Sequence, residues 1–327
     1  MSTRSAPAAG AAQPEPPDCR PPSLAARPHA AGSGLGWAAL GVLAFSVTFP
    51  ATTLAERAFA PLVVGAGRSV IAAVIAAVCL RAARVRFPAR RHWFGLVAVA
   101  LGCGIGFGVL SALALGHTSS SHGAVVIGVL PAATAVVAVI RVGDRPGPVF
   151  WLASLLGTAV VTGYALSRGS GALHAADLLL LASVVVAAVG YAEGGRLARE
   201  IPGWEVVGWG LVIAFPISLA LAGVGVVSGG GLIRSGHALS AGALLGLAYV
   251  GTISTFVGFF AWYRGLAEAG VARASQVQLA QPLLTIVWAV PLLGESIDPV
   301  ALLAALVVGA CVLVTQRARA RDGAAAR

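Results

Sequence analysis

The sequence predicts an all-α membrane protein: ten transmembrane helices arranged as two inverted five-helix repeats. Three observations predict it. Apolar runs of membrane-spanning length recur from residue 35 to 316, one half of the chain echoes the other, and the arginines fall unevenly among the loops. A chain that is 58% hydrophobic and 10% charged, with mean hydropathy +0.89, is not composed like a soluble domain. In hydrocarbon every backbone polar group needs an internal partner, so such runs are expected as helices.

The echo is sharpest between Leu130–Asp144 (LPAATAVVAVIRVGD) and Gln281–Glu295 (QPLLTIVWAVPLLGE). Without a gap, residues 131–159 and 282–310 are identical at 12 of 29 positions. Chance in so Ala/Val/Leu-rich a chain gives roughly one in seven. The offset places Pro131 on Pro282, Gly143 on Gly294, Asp144 on Glu295 and Pro148 on Pro299. A period near half the chain is a two-fold duplication, and duplicated membrane helices point to a transporter built from repeats.

The elements follow in order. Residues 1–34, rich in Ala, Pro, Ser and Gly without an apolar core, are expected as a disordered cytoplasmic tail. Apolar runs predict helices over 35–55, 61–80, 93–115, 121–140 and 148–166, which with their connections make a first repeat, 35–167. A second repeat, 174–316, restarts with helices over 175–195, 204–227, 241–263, 271–293 and 299–316, and 317–327 form a second cytoplasmic tail. The SGGG of 228–231 is expected as a flexible connector.

All 22 basic residues are arginine, and the chain contains no lysine. Ten helices divide the arginines of the loops and tails into 18 on one side and 3 on the other, with Arg68 inside a helix. The positive-inside rule then puts both termini in the cytoplasm of a cell membrane. Each copy holds an odd number of helices, so the second enters from the opposite side, and the duplication is expected to be inverted. The +10 charge is therefore a topology signal rather than a nucleic-acid surface. Exclusive use of arginine with abundant Ala and Gly fits a GC-rich bacterial genome. Cys19, Cys79, Cys103 and Cys311 are scattered and the six histidines form no ligand cluster, so no metal, cofactor or disulfide is expected.

FSVTFPATT ends the first helix, Pro61 precedes Arg68 in the second, and paired segments end in Pro131…Asp144 and Pro282…Glu295, the latter as LLGE. In these features, over roughly 35–316, the chain resembles the EamA-type drug/metabolite transporter superfamily. The first copy departs from it, with VGDR where an LGE-like end is expected. The resemblance implies ten helices and a central cavity lined by the first four helices of each repeat, the fifth of each being peripheral. It also implies secondary transport, often export of amino acids or other metabolites. Expected partners are a small-molecule solute and the lipid bilayer, and a homodimer is compatible with the reading.

Arg68 is the sharpest single residue, about seven residues or roughly 10 Å inside its helix. A charge there needs a partner or a cavity. It is either a fork for a carboxylate or other anion, or a structural donor to backbone carbonyls. Aligning Pro61 with Pro202 sets Trp209 at the related position, so a cavity between Arg68, Trp209 and the amide face of Gln278 and Gln281 is expected. Gln276 is a further amide of that helix.

Pro50, Pro131 and Pro282 each remove a backbone donor in mid-helix and are candidate hinges. The glycines at 102, 104, 106 and 108 fit close helix contact. Glu193, with Arg196 three residues on, reads as a solvated pair or a proton-coupling carboxylate. Asp144 and Glu295 read as helix-end acids that cap neighbours. Trp262 and Tyr263 are expected in an interfacial belt. No paired acids, HExxH or Ser/His/Asp set appears, which disfavours a membrane-embedded enzyme acting on a lipid carrier. A channel is the remaining alternative.

Overall fold

The computed structural model describes residues 31–142, 174–269 and 280–307, with individual positions in 148–164, 274–278 and 309–311. Among the described residues the chain is helical, without strands. Six helices are long and apolar enough to cross a membrane: α1 (Gly34–Glu56), α2 (Pro61–Ala82), α3 (Arg90–Leu115), α5 (Ala175–Leu197), α6 (Gly203–Ser228) and α7 (Ala241–Glu268). Between α3 and α5 lies α4, in two pieces, Ser120–Ile127 and Leu130–Val142. Two shorter helices follow α7, namely α8 (Gln281–Leu293) and α9 (Pro299–Cys311). Most of the predicted helix over 148–166 lies outside the described residues, as do both predicted tails except for residues 31–34.

The prolines decide where helices start and break. Pro61 occupies the first turn of α2, where its missing N–H costs nothing. The proline sites expected as kinks are interruptions. α1 breaks at Val47 and resumes as Thr48–Glu56, with Pro50 in its first turn. α4 breaks at Gly128 and Val129 and resumes at Leu130, followed by Pro131. α8 begins at Gln281, followed by Pro282, after a turn at Ala280. The paired prolines of the two copies thus take the same position, second in the resumed helix.

Contacts at the two ends fix the direction of each helix. The start of α1 meets the end of α7, where the Arg264 guanidinium lies 4.3 Å from the centre of the Trp37 ring. The end of α5 meets the start of α3 through His92 and Glu200, 3.1 Å apart. At the opposite end, Gly116 after α3 packs on Pro61, and Ser120 at the start of α4 bonds Thr53 near the end of α1. The start of α5 joins this second end through Asp177, which contacts His122 of α4. Hence α1 and α5, the first helices of the two copies, run in opposite directions. Arg81, Arg84, Arg86, Arg90, Arg91, Arg196, Arg199 and Arg264 lie at the first end. Arg57 and Arg234 lie at the second.

The third helix of each copy carries a stretch of π-helix, Ala100–Gly106 in α3 and Val250–Val257 in α7. Such stretches are rare and leave carbonyls that need outside partners. Ser69 of α2 supplies one for Gly104, and Thr255 bonds Val250 O at 2.6 Å across the wide turn.

Trp262 and Tyr263 are not interfacial. They are the largest fully buried side chains, at 1% and 0% exposure. Small residues draw α7 onto α1: a Cβ on Gly265 would stand 2.6 Å from Ala38 N, and one on Gly41 would stand 3.0 Å from Trp262 N. The aromatic pair is enclosed by Phe45, Tyr191 and Phe259. With lipid as apolar as leucine, this close packing replaces the hydrophobic effect as the force between helices.

The glycine run of α3 does serve close contact. A Cβ on Gly104 would lie 3.0 Å from the Ala214 methyl of α6, and Gly108 meets Gly65 of α2 backbone to backbone. A Cβ on Gly65 would lie 2.7 Å from both Gly108 O and Val109 Cα, whereas one on Gly67 would meet nothing within 4 Å. Gly65→Ala should therefore cost about 1–3 kcal/mol through forced separation of α2 from α3. Gly67→Ala, two residues away, should be neutral or stabilising by up to about 1 kcal/mol. Unfolding titrations of the two variants in mixed micelles would check the contrast, and equal effects would refute it.

Candidate functional site

The three interruptions meet at one place. A cavity is lined by Phe45 and Phe49 of α1, by Ile127, Gly128 and Pro131 of α4, and by Gln278, Gln281, Pro282 and Thr285 around α8. It is narrow, with about 10 Å³ of space for the centre of a water molecule, room for about one water. The first-copy break and the second-copy break face each other across it. The structure thus brings Gln278, Gln281, Pro131 and Pro282 together and places Pro50 one residue beyond Phe49.

Proline chemistry explains the polar wall. Pro50 cannot donate to Ser46 O one turn back. Thr285 of α8 donates to that carbonyl instead, at 2.8 Å, and Trp288 Nε1 donates to Ser46 Oγ at 3.2 Å. The freed carbonyl of α1 is therefore satisfied by the neighbouring helix at the cavity edge. Gln278 is 3% exposed and hydrogen-bonded to the Tyr191 hydroxyl. The Gln281 Oε1 atom is buried and has no partner. An unpaired buried acceptor costs about 1–3 kcal/mol.

Arg68 lies behind this wall, 3% exposed. Its Nε donates to Thr255 Oγ1 at 2.7 Å and its Nη2 to Ser254 Oγ at 3.0 Å, both in the π stretch of α7. Ser254 in turn shares a 2.7 Å bond with Thr48, at the break of α1. Among the described residues no carboxylate pairs with Arg68. A buried cation held by hydroxyls alone leaves a positive field beside the cavity.

Trp209 is not beside Arg68. Its ring packs edge-on against Phe87, with centroids 5.0 Å apart, where α2 ends and the arginines gather. Leu80 meets Gly208 there, twelve residues beyond Arg68, or about 18 Å along α2. The physical reason is the opposite direction of the two copies. A residue one third of the way along α2 and its counterpart in α6 start from opposite ends.

Glu295 caps a neighbour. Its carboxylate accepts from Ser120 N at 3.0 Å, Ser121 N at 3.2 Å and Ser121 Oγ at 2.6 Å, at the positive end of α4. Gly294 makes this possible: its φ of 74° ends α8 in the left-handed region and turns Glu295 back. Asp144 and Gln276 lie outside the described residues. Glu193 does bond Arg196 at 3.1 Å, but it is not solvated, being 3% exposed.

Sequence reasoning missed a second buried pair. His122 of α4 and Asp177 of α5 are 2.6 Å apart, and both are buried. Asp177 also accepts from His174 N at 3.0 Å, and the Tyr164 ring lies over His122 at 5.2 Å. The pair bridges the two copies. Its signal was present only as a histidine and an acid near two predicted helix starts.

Comparison with known proteins agrees with this arrangement. Residues 32–166 and 174–316 each match the EamA-like transporter family. The chain belongs to that family. It is similar to the uncharacterized transporter YdeK of Bacillus subtilis (strain 168), with 42% identity over 278 residues, 85% of this chain and 95% of that protein. A solved crystal structure, 19% identical, has the same fold at a TM-score of 0.62, covering 86% of this chain and 96% of the other. The chain is thus a multi-pass membrane protein of a transporter family, and its two matched segments are the two halves of the echo.

Removing one member of the His122–Asp177 pair strands a buried polar partner. Asp177→Ala should cost about 3–5 kcal/mol. The double variant His122→Ala/Asp177→Ala should cost clearly less than the sum of the single ones. A double-mutant cycle on thermal or denaturant unfolding reads this coupling, and strict additivity would show that the pair is not joined in the folded protein.

Proposed function

We propose that the protein is a secondary transporter that moves a small metabolite bearing an anionic or zwitterionic headgroup, by alternating access between two inverted five-helix repeats. The observation that carries this reading is the cavity at the junction of three interrupted helices, lined by both repeats and holding an unpartnered Gln281 acceptor. Broken helices at a repeat interface offer free backbone groups and a place to bend. The cavity is narrow, and opening it toward either side would widen it for a solute. Pro50, Pro131 and Pro282 serve as the hinges, since each opens a resumed helix and none needs a new break.

Substrate lies among Gln278, Gln281 and the two aromatic rings of α1, with Arg68 setting the sign of charge that is accepted. Ten helices, cytoplasmic termini at the arginine-bearing end and net export complete the reading. Glu295 and Asp144 act as end caps that keep the moving helices in register, and Glu193 holds the arginine-bearing end of α5. A channel would give unsaturable flux.

Reconstituted protein in liposomes should show saturable counterflow for one class in a panel of amino acids, nucleobases, organic anions and cationic drugs. Gln281→Leu should raise KM about tenfold with little change in kcat, the loss of roughly one buried hydrogen bond. Arg68→Ala should abolish transport of the anionic or zwitterionic solute, and Arg68→Lys should restore part of it because the charge returns without the fork. Variants are compared only where their thermal midpoint matches the parent. Unchanged kinetics in folded Arg68→Ala would remove Arg68 from the site, and flux proportional to concentration without limit would replace the transporter by a channel.

A further inference from the structure

A second cavity lies far from the first, where α2 and α6 part at the arginine-bearing end. It has a volume of about 410 Å³. Arg81, Arg84 and Arg86 form its rim, and Leu80, Val212 and Trp209 are among the side chains of its wall. We propose that this groove binds an anionic phospholipid, with the phosphate held by the three arginines and the first part of an acyl chain against the apolar wall.

Four observations carry the assignment. First, the charges of the rim are unspent. Arg91, Arg196 and Arg264 at the same end each have a glutamate partner. Arg81, Arg84 and Arg86 have no acidic partner among the described residues. Three unpaired guanidiniums around one opening attract a phosphate, for which the planar fork is suited.

Second, the depth is right for a headgroup. Phe87, Trp93 and Trp209 cluster here, with Phe87 5.6 Å from Trp93 and 5.0 Å from Trp209. Phe87 and Trp93 are exposed, and exposed aromatics of this kind mark the level where headgroups meet hydrocarbon. Trp209 is itself part of the groove wall.

Third, the groove belongs to a lipid-facing surface. α6 is the span least covered by protein, with 28% of its apolar window buried. A free phosphate would gain nothing from Leu80, Val212 and the indole ring, whereas an acyl chain would. Basic pockets between helices near the membrane surface are recognised lipid sites on these grounds.

Fourth, the backbone is shaped against its own preference to present the rim. Arg84 has φ 52°, the one positive value among described non-glycine residues. It stands where α2 ends, beside Val85 N bonded to Leu80 O at 3.0 Å, the turn that glycine normally makes. An arginine at the glycine position gains nothing for the turn, and its guanidinium is on the groove rim.

The test uses the full chain in mild detergent and native mass spectrometry with phosphatidylglycerol, phosphatidylcholine of the same acyl chains, and glycerol 3-phosphate as a headgroup without chains. Phosphatidylglycerol should be retained in preference to phosphatidylcholine. Near a membrane surface each arginine contributes about fivefold to anionic binding, so Arg81→Gln/Arg84→Gly/Arg86→Gln should lose roughly 100-fold and Arg264→Gln little. Arg84→Gly alone should lose about fivefold while its lipid-free thermal midpoint stays equal or rises, because glycine suits that turn. A triple variant that keeps phosphatidylglycerol like the parent overturns the proposal. So does glycerol 3-phosphate that displaces the lipid at equal concentration, which would make the occupant a soluble anion. A lowered midpoint in Arg84→Gly would make that residue structural and remove it from the site.

Discussion

A carbonyl left free inside hydrocarbon has no water to turn to, and much of this structure follows from that constraint. Pro50 frees the carbonyl of Ser46, and Thr285 reaches from α8 to satisfy it. Trp288 fixes the same residue through its side chain. One turn later α8 ends at Gly294, and Glu295 seizes the first amides of α4. So α8 is tied to α1 just before the break of α1, and to α4 at the start of that helix. The cavity between them holds one unpartnered amide oxygen, at Gln281. The breaks thus lie beside bonds that join one helix to the next.

The same constraint accounts for the π stretches. In α7 the wide turn is closed by Thr255, and its hydroxyl then receives Arg68. Ser254 receives the same guanidinium and hands a bond to Thr48 at the break of α1. A buried cation therefore depends on hydroxyls that exist for backbone reasons. Removing any one hydroxyl leaves either the guanidinium or the wide turn short of a partner. The structural and the ligand readings of Arg68 are consequently not rivals. The bonds hold the charge in place, and no carboxylate among the described residues pairs with it.

The architecture was legible because membranes enforce it on sequence. Apolar length, proline position and the echo of residues 131–159 in 282–310 survive without a structure. What failed was inference about which way the large aromatic side chains face. In water an apolar stripe marks the core, but here lipid and core are equally apolar, so Trp262 and Tyr263 looked interfacial and proved the most buried of the large residues. Burial had to be inferred from small residues instead, and Gly41 and Gly265 were not weighed. The His122–Asp177 pair was illegible for another reason, since it joins two helix starts 55 residues apart that only the fold makes neighbours. The amides fared better because a glutamine in hydrocarbon has to face protein wherever its helix turns.

Trp209 shows what repeat symmetry does and does not transfer. Its alignment with Arg68 is sound as sequence, and the expected meeting of the two side chains fails because opposite direction turns equal depth from the helix start into different depth in the membrane. α2 places its polar residue toward the centre, next to the π stretch of α7. α6 places an indole at the arginine-bearing end, next to Phe87. Related positions thus lie toward the centre in one copy and toward the end of the bundle in the other. The identical threonines diverge in the same way: Thr134 bonds back to Leu130 O within its own helix, while Thr285 crosses to Ser46 O. An inverted pair supplies two similar frames, and the departures between them decide which end of the protein holds the cavity wall and which meets the lipid.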